Sequence, residues 1–421
     1  MYYFPFREKM LYDVEAKSHE RAFERIEALD RLLSGNYTVL VLSCESLLDF
    51  FMPADEFCMH RLSISVGDTL QMEQAILRLV EMGYEREEQV EGRGQFAVRG
   101  GILDVFPVQL EKPVRIELFD IEVDSIRVFD PDNQRSFERL DTVEILPAQE
   151  FILEKGQWLE VADRVQKELS AFLPKLKDKE LAETFRNQFS QYTEQLKNAN
   201  HFAGIDKFIP YFYRQPASIL QYSGRNAVLF LEDVNRLTQR LTNVVEEYYR
   251  QCETLTEKGM LLAGSYAMYF NPDELPLMIG DRQVVYLNSL DEGRALTDIA
   301  AQYALKGKNV DPFQGHLEVL KKELRSWIDQ GYLVTVLAVS EQRADGLYRE
   351  FTEDGIRVFT KNPEADIPCA VVQQGQLENG FIYPEIKWAV VCENDIVGGK
   401  RAKAGHQFKG GRKINVFTDL Q

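Results

Sequence analysis

Residues 84 to 150 set the strongest constraint on how this chain can fold. They read as a succession of short strands, QFAVRGG, ILDVFPV, PVRIELFD, VDSIRVFD and RLDTVEILPA, between segments of helical period. Gln95, Ala97 and Arg99 alternate with Phe96, Val98 and Gly100, the period-2 rhythm of a strand with one buried face. Val114, Ile116 and Leu118 alternate in the same way with Arg115, Glu117 and Phe119, and FDIEVD between two such strands reads as a hairpin turn. A meander of this kind is a small antiparallel module. Lying between α/β segments, it is an insertion into a larger domain. One residue stands out: Arg99 ends its strand at a Gly-Gly break.

The flanks predict α/β structure. Ser18 is placed to cap a helix through HERAFERIEALDRLL, with Phe23, Ile26, Leu29 and Leu33 on one face and Gly35 past its end. YTVLVLS, residues 37 to 43, reads as a strand buried on both faces of a parallel sheet. Asp68 opens a second helix with Gln71 placed for a capping box, and Gly83 closes it. Residues 156 to 200 are charged, amphipathic and helical. RNAVLFLEDVNRL supplies an apolar strand ending on Glu232 and Asp233. From 314 to 360 a βαβ rhythm appears, and CAVVQQ and KWAVVCEN add further strands. No internal repeat is present.

The chemistry that can be excluded is extensive. With 421 residues the chain suits two to four domains, and 45% hydrophobic with 28% charged residues is ordinary globular composition. Lys and Arg total 49 against 67 Asp and Glu, a net charge of −18, so bulk nucleic-acid binding is disfavoured. Cys44, Cys58, Cys252, Cys369 and Cys392 are odd in number and never form a CxxC pair, which suits reduced cytoplasmic thiols. His19, His60, His201, His316 and His406 are not at ligand spacing, so no metal site is expected. No apolar run reaches the roughly 20 residues of a membrane span, and MYYFPFREKM has no signal-peptide core. The expectation is a soluble cytoplasmic protein without a membrane partner.

No catalytic residue emerges. VLFLED resembles the strand-plus-acid element that holds magnesium in P-loop NTPases, which makes Glu232 and Asp233 a degenerate version of it or an ordinary strand terminus. The phosphate cradle GxxxxGK[ST] is missing, since Gly307-Lys308 is followed by Asn309 and Gly399-Lys400 by Arg401. The one basic cluster, KRAKAGHQFKGGRK, holds Lys400, Arg401, Lys403, Lys409, Arg412 and Lys413. It reads as a solvated linker or as a phosphate contact.

Taken together, QFAVRGGILDVFPV, RIELFDIEVDSIRVFD and VEILPAQEF resemble the inserted domain shared by the excision-repair protein UvrB and the bacterial transcription-repair coupling factors. UvrB carries a related FRVRG…IFPA…RVEFF…EI pattern, and FAVRGGILDVFP is closer to the coupling factors. The resemblance extends through GIDKFIPYFYRQPASILQY, LFLED, VLAVSEQRADGLYREF and GFIYPEIKWAVVCENDIVG, essentially the entire chain. It implies an α/β multidomain fold: a degenerate RecA-like, P-loop-derived domain from residues 1–59 and 151–304, a β-rich UvrA-binding domain inserted at 60–150, a small α/β domain at 305–397, and a basic linker at 398–421. It also implies an N-terminal fragment cut at both ends, lacking an upstream α/β stretch and, downstream, an RNA-polymerase-interacting domain and an ATP-driven translocase.

On that resemblance the function expected is an adaptor that recruits UvrA to stalled RNA polymerase. Arg86, Arg99 and Glu117 fall on the surface that resembles the UvrA-binding face, with Arg93 and Phe96 as a secondary contact; UvrB's additional arginine is Ala97 here. Charged groups of both signs on one sheet face suit bidentate contacts across an interface. The competing reading is that Arg99 and Glu117 simply pair across neighbouring strands. No cofactor is expected for this chain; ATP and magnesium belong to the parent's translocase, and RNA polymerase and DNA to its other domains. Two alternatives stand beside the adaptor: a UvrB-like damage-recognition helicase half, and a structural module restraining the translocase. The first needs a Walker A loop and an aromatic hairpin, for which the passage from MYYFPFREKMLYD into the Ser18 helix leaves no room.

Overall fold

A computed structural model describes residues 1–7, 11, 19–199, 202, 204–288, 295–361, 363 and 367–398. Ser18 and the cluster from Lys400 to Lys413 lie outside the described residues. The chain is mixed α/β and divides into two units, Met1–Asp298 and Ile299–Gln421.

The first unit opens with β1 (Tyr2–Phe4), α1 (Glu20–Ser34) and β2 (Leu40–Leu42). Phe23, Ile26 and Leu29 of α1 are buried as their spacing predicts, and Gly35 ends the helix at φ +68. The strand expected over 37 to 43 is shorter than its apolar run. β2 pairs in parallel with β1 alone, and Val39 and Val41 are 47% and 45% exposed. A parallel strand is covered on both faces only inside a wider sheet, and among the described residues β2 pairs with β1 and no other strand.

Next come α2 (Ala54–Met59), β3 (Leu62–Ser65) and α3 (Met72–Glu81). The Asp68 carboxylate is not the cap of α3. It accepts from the Ser65 amide at 2.7 Å and closes the turn ahead of the helix, while Gln71 holds the N-cap position without a side-chain bond. The β-rich module follows as β4 (Glu85–Arg86), β5 (Gln95–Arg99), β6 (Ile102–Val105), β7 (Val114–Phe119), β8 (Glu122–Phe129) and β9 (Ser136–Leu140), a six-stranded sheet in that spatial order. β10 (Thr142–Ile145) leaves the module antiparallel to β3.

The rest of the unit is mainly helical. α4 (Lys155–Phe172) starts with a capping box between Glu154 and Gln157, and Asp178 caps α5 (Lys179–Lys197). The short helices α6 (Ile209–Phe212) and α7 (Ile219–Tyr222) precede β11 (Leu229–Glu232) and the long α8 (Val234–Glu257). After α9 (Leu275–Ile279), β12 (Val284–Leu287) pairs in parallel with β11.

A buried cation ties these pieces together. Arg25, 1% exposed on α1, donates to Glu150 Oε1 at 2.8 Å, to the Pro5 carbonyl at 2.8 Å and to Asp49 Oδ2 at 3.3 Å. Its guanidinium lies 4.4 Å from the Phe4 ring centroid and 5.2 Å from that of Phe51. Burial works against its charge, but Glu150 and Asp49 outweigh it and hold the pKa above the ordinary value. Glu150 also pairs with Arg7, so the N-terminal segment, α1 and the exit from the β module meet at one carboxylate.

The second unit holds β13 (Lys308–Asn309), α10 (Leu317–Asp329), β14 (Leu333–Ala338), α11 (Glu341–Glu353), β15 (Val358–Phe359), β16 (Cys369–Gln374), β17 (Phe381–Tyr383), β18 (Trp388–Cys392) and α12 (Glu393–Val397). Its sheet runs β13-β17-β18-β14-β16-β15, parallel from β18 to β15 and antiparallel at β17 and β13. Leu320, Leu324 and Trp327 of α10 and Leu347 and Phe351 of α11 pack with Val334 and Val336 of β14.

Candidate partner-binding face of the β module

Gly100 and Gly101 make the two-residue turn that joins β5 to β6. Gly100 has φ +61, a conformation that favours glycine, and a Cβ on Gly101 would stand 3.0 Å from the Leu118 carbonyl of β7. The close backbone neighbour at the Gly-Gly break is therefore the module's own third strand. Leu118 donates to the Gly101 carbonyl at 2.8 Å. The turn thus seats Arg99 at the rim of the sheet.

Register then decides which side chains stand together. Arg99 is opposite Ile102, Ile102 opposite Glu117, and Glu117 opposite Ser125. Arg99 and Glu117 share a face but are separated by a whole strand, so they are not a cross-strand pair. Arg99 Nη2 donates to the Glu88 carbonyl at 3.2 Å. Glu117 Oε2 accepts from Ser125 Oγ at 2.7 Å and lies 3.5 Å from Arg127 Nη2. By alternation along β7, Phe119 follows on the same face, although the pairing with β8 slips between Glu117 and Leu118 and leaves Asp124 as the extra residue on β8. Phe119 is 80% exposed, and Asp120 beyond it turns the hairpin at φ +60. A single exposed apolar side chain is ordinary on a protein surface; Phe119 draws interest because it follows Glu117 along one strand. The alternation of RIELFD already carries that signal in the sequence.

The adjacent row is built for rigidity. Asp104, 2% exposed, holds Arg115 through two bonds of 2.7 and 2.8 Å, and Arg115 also reaches Gln134 Oε1 at 3.0 Å and lies 4.6 Å from the Phe129 centroid. The Asp104 hydrogen bond, only partly opposed by burial, keeps the Arg115 pKa above its ordinary value.

The remaining candidates lie elsewhere. Arg86 is exposed on the two-residue β4, opposite Phe96 and in the row of the buried Val105 and Val114, so alternation sets it on the other face from Arg99 and Glu117. Arg93 is half-buried in the turn before β5. Phe96 is fully buried in the core, so it cannot offer the secondary contact expected of it: its side of β5 is the side that packs. Glu232 is exposed at the end of β11, while Asp233, at φ +46, accepts from the Arg236 amide at 3.3 Å and caps α8. Among the described residues no cluster of three or more His, Cys, Asp or Glu side chains is placed to hold a metal, and no helix is long and apolar enough to cross a membrane.

Comparison with known proteins bears directly on this face. Residues 62–151 match the UvrB interaction domain. The match runs from β3 through β10 and takes in Arg99, Glu117 and Phe119. Across its length the chain is similar to the transcription-repair-coupling factor of Bacillus subtilis strain 168, 28% identical over 427 residues, covering 99% of this chain and 36% of the relative. It is 26% identical over 431 residues to that of Staphylococcus aureus strain USA300, covering 100% of this chain and 36% of the relative. The chain thus spans about a third of the length of these relatives. Within the matched segment, the Asp104–Arg115 pair joins β6 to β7 in the same sheet as Arg99, Glu117 and Phe119.

Proposed function

We propose that this chain is the UvrA-docking part of a transcription-repair-coupling factor, an adaptor that brings UvrA to stalled RNA polymerase. Residues 1–59 and 151–304 are read as a degenerate RecA-like domain, 60–150 as the inserted docking module and 305–397 as a further small α/β domain. RNA polymerase, DNA, ATP and magnesium are assigned to regions of the parent protein beyond this chain. The observation that carries the reading is the placement of Arg99, Glu117 and the exposed Phe119 on one rigid face inside the matched domain. Aromatic and arginine side chains are enriched in protein interfaces.

The test is titration of the purified chain against UvrA. Phe119→Ala and Arg99→Ala each lower affinity by about 1 to 3 kcal/mol, the range of central interface positions, with thermal stability retained. Unchanged binding by both variants, or loss of stability in place of binding, would falsify the assignment of this face.

A further inference from the structure

Glu117 is held on one side only. Its Oε2 accepts from Ser125 Oγ at 2.7 Å and lies 3.5 Å from Arg127 Nη2, whereas no partner for Oε1 is found among the described residues. Register explains how both groups reach the same oxygen: Ser125 is directly opposite Glu117 on β8, and Arg127, opposite Arg115, is its diagonal neighbour. The two differ in what they bring. Ser125 is 8% exposed, a donor shielded from competing water. Arg127 has an arginine directly opposite on each side, Arg115 on β7 and Arg139 on β9, and like charges so placed repel. Asp104 is taken up by Arg115, which leaves Glu117 as the carboxylate paired with Arg127 among the described residues.

We infer that Ser125 and Arg127 are positioning residues of the docking face: they set the Glu117 carboxylate through Oε2 and leave Oε1 to accept a hydrogen bond from a donor on the protein partner. A glutamate free on a strand gives up its side-chain rotamers when it docks, which weakens binding about two- to tenfold for each side chain immobilised, and the Ser125 bond removes that freedom before the partner arrives. Arg127 acts on a second cost. A carboxylate stripped of water as an interface closes is unfavourable unless a cation goes with it, and Arg127 is already beside Glu117. The inference rests on the UvrA-docking reading and adds to it two residues that act through Glu117.

Equilibrium binding of the whole chain to immobilised UvrA, measured as a double-variant cycle, tests it. Ser125→Ala and Arg127→Gln each weaken binding about three- to tenfold, and in a Glu117→Ala background neither changes it further, because both work through that carboxylate. Arg127→Lys keeps the charge and recovers most of the loss. Melting curves separate this role from a part in folding: Arg127→Gln leaves the melting temperature near the parent's, since the repulsion it relieves offsets the exposed ion pair it removes. If Ser125→Ala and Arg127→Gln weaken binding as much in the Glu117→Ala background as in the parent, or if the losses follow melting temperature, the two do not act through Glu117 and the inference is overturned. If both bind as the parent does while Glu117→Ala is weakened, the docking face stands, Glu117 needs no positioning, and the inference is again overturned. If Glu117→Ala binds as the parent does, this carboxylate is outside the contact and the inference falls, while Phe119→Ala and Arg99→Ala decide the docking reading on their own. A parent chain that does not bind UvrA overturns the docking reading and this inference with it.

Discussion

Replacing Arg25 by Met keeps much of the side-chain volume and removes only the charge and its donors. The structure gives the terms lost: a charge-assisted bond to Glu150 at 2.8 Å, a bond to the Pro5 carbonyl at 2.8 Å, a longer one to Asp49 at 3.3 Å, and two cation–π contacts. Breaking one side of a buried ion pair costs about 3 to 5 kcal/mol, chiefly through the carboxylates left in the interior. Arg7 still faces Glu150, so the lower half of that range applies, about 3 to 4 kcal/mol. Spread over a unit of 298 residues, that loss lowers its melting temperature by about 5 to 6 °C. Calorimetry of the parent, Arg25→Met, Glu150→Gln and the double variant provides the assay. Because the two residues share one network, the double variant loses clearly less than the sum of the singles. Strict additivity, or an Arg25→Met protein as stable as the parent, would refute the claim that a charge network holds the N-terminal segment, α1 and the module's exit together.

Three further outcomes are expected. Burial, reinforced by Arg78, holds the His60 imidazole below its ordinary pKa of 6.5, so the unfolded chain takes up a proton before the folded one does. That contribution to stability is complete above about pH 6.5 and is lost as pH falls toward the folded value, and His60→Gln should flatten the slope of denaturation midpoint between about pH 5 and 7. Gly264→Ala drives a methyl into the Tyr211 hydroxyl and the Glu168 carboxylate, which accepts from the Gly264 amide at 2.8 Å; a loss of about 2 to 3 kcal/mol in urea denaturation is expected, and a neutral result would show that this corner gives way freely. The chain should hydrolyse no ATP with or without DNA, since Asp233 is committed to capping α8 and no GxxxxGK[ST] loop occurs in its 421 residues; turnover above background in a coupled assay would contradict this.

What was legible in the amino-acid order is what depends on near neighbours. Period-2 alternation located β5 to β8, the FDIEVD turn and the Gly-Gly break, because a strand's faces and a tight turn's φ values are set within a few residues. The same alternation put Phe119 with Arg115 and Glu117, and its exposure could have been anticipated there. The βαβ rhythm after residue 314 also reached the structure as β14, α11 and β15. Phe96 shows the limit: the resemblance offered it as a contact, while the packing of its face of β5 put it in the core. YTVLVLS reads as a fully covered strand, yet coverage depends on how many strands lie beside it, and among the described residues β2 has one. Nothing near Arg25 in sequence says that it will be buried, because Asp49 and Glu150, its carboxylates, arrive from 24 and 125 residues away. The sequence by itself determined the strands, their faces and their turns, through local sterics and periodicity. Register across β5 to β9 belongs to the tertiary structure: it inserted Ile102 between Arg99 and Glu117, gave Arg127 to Glu117 and set Arg139 opposite Arg127, because pairing between strands is fixed by the packing of the whole sheet.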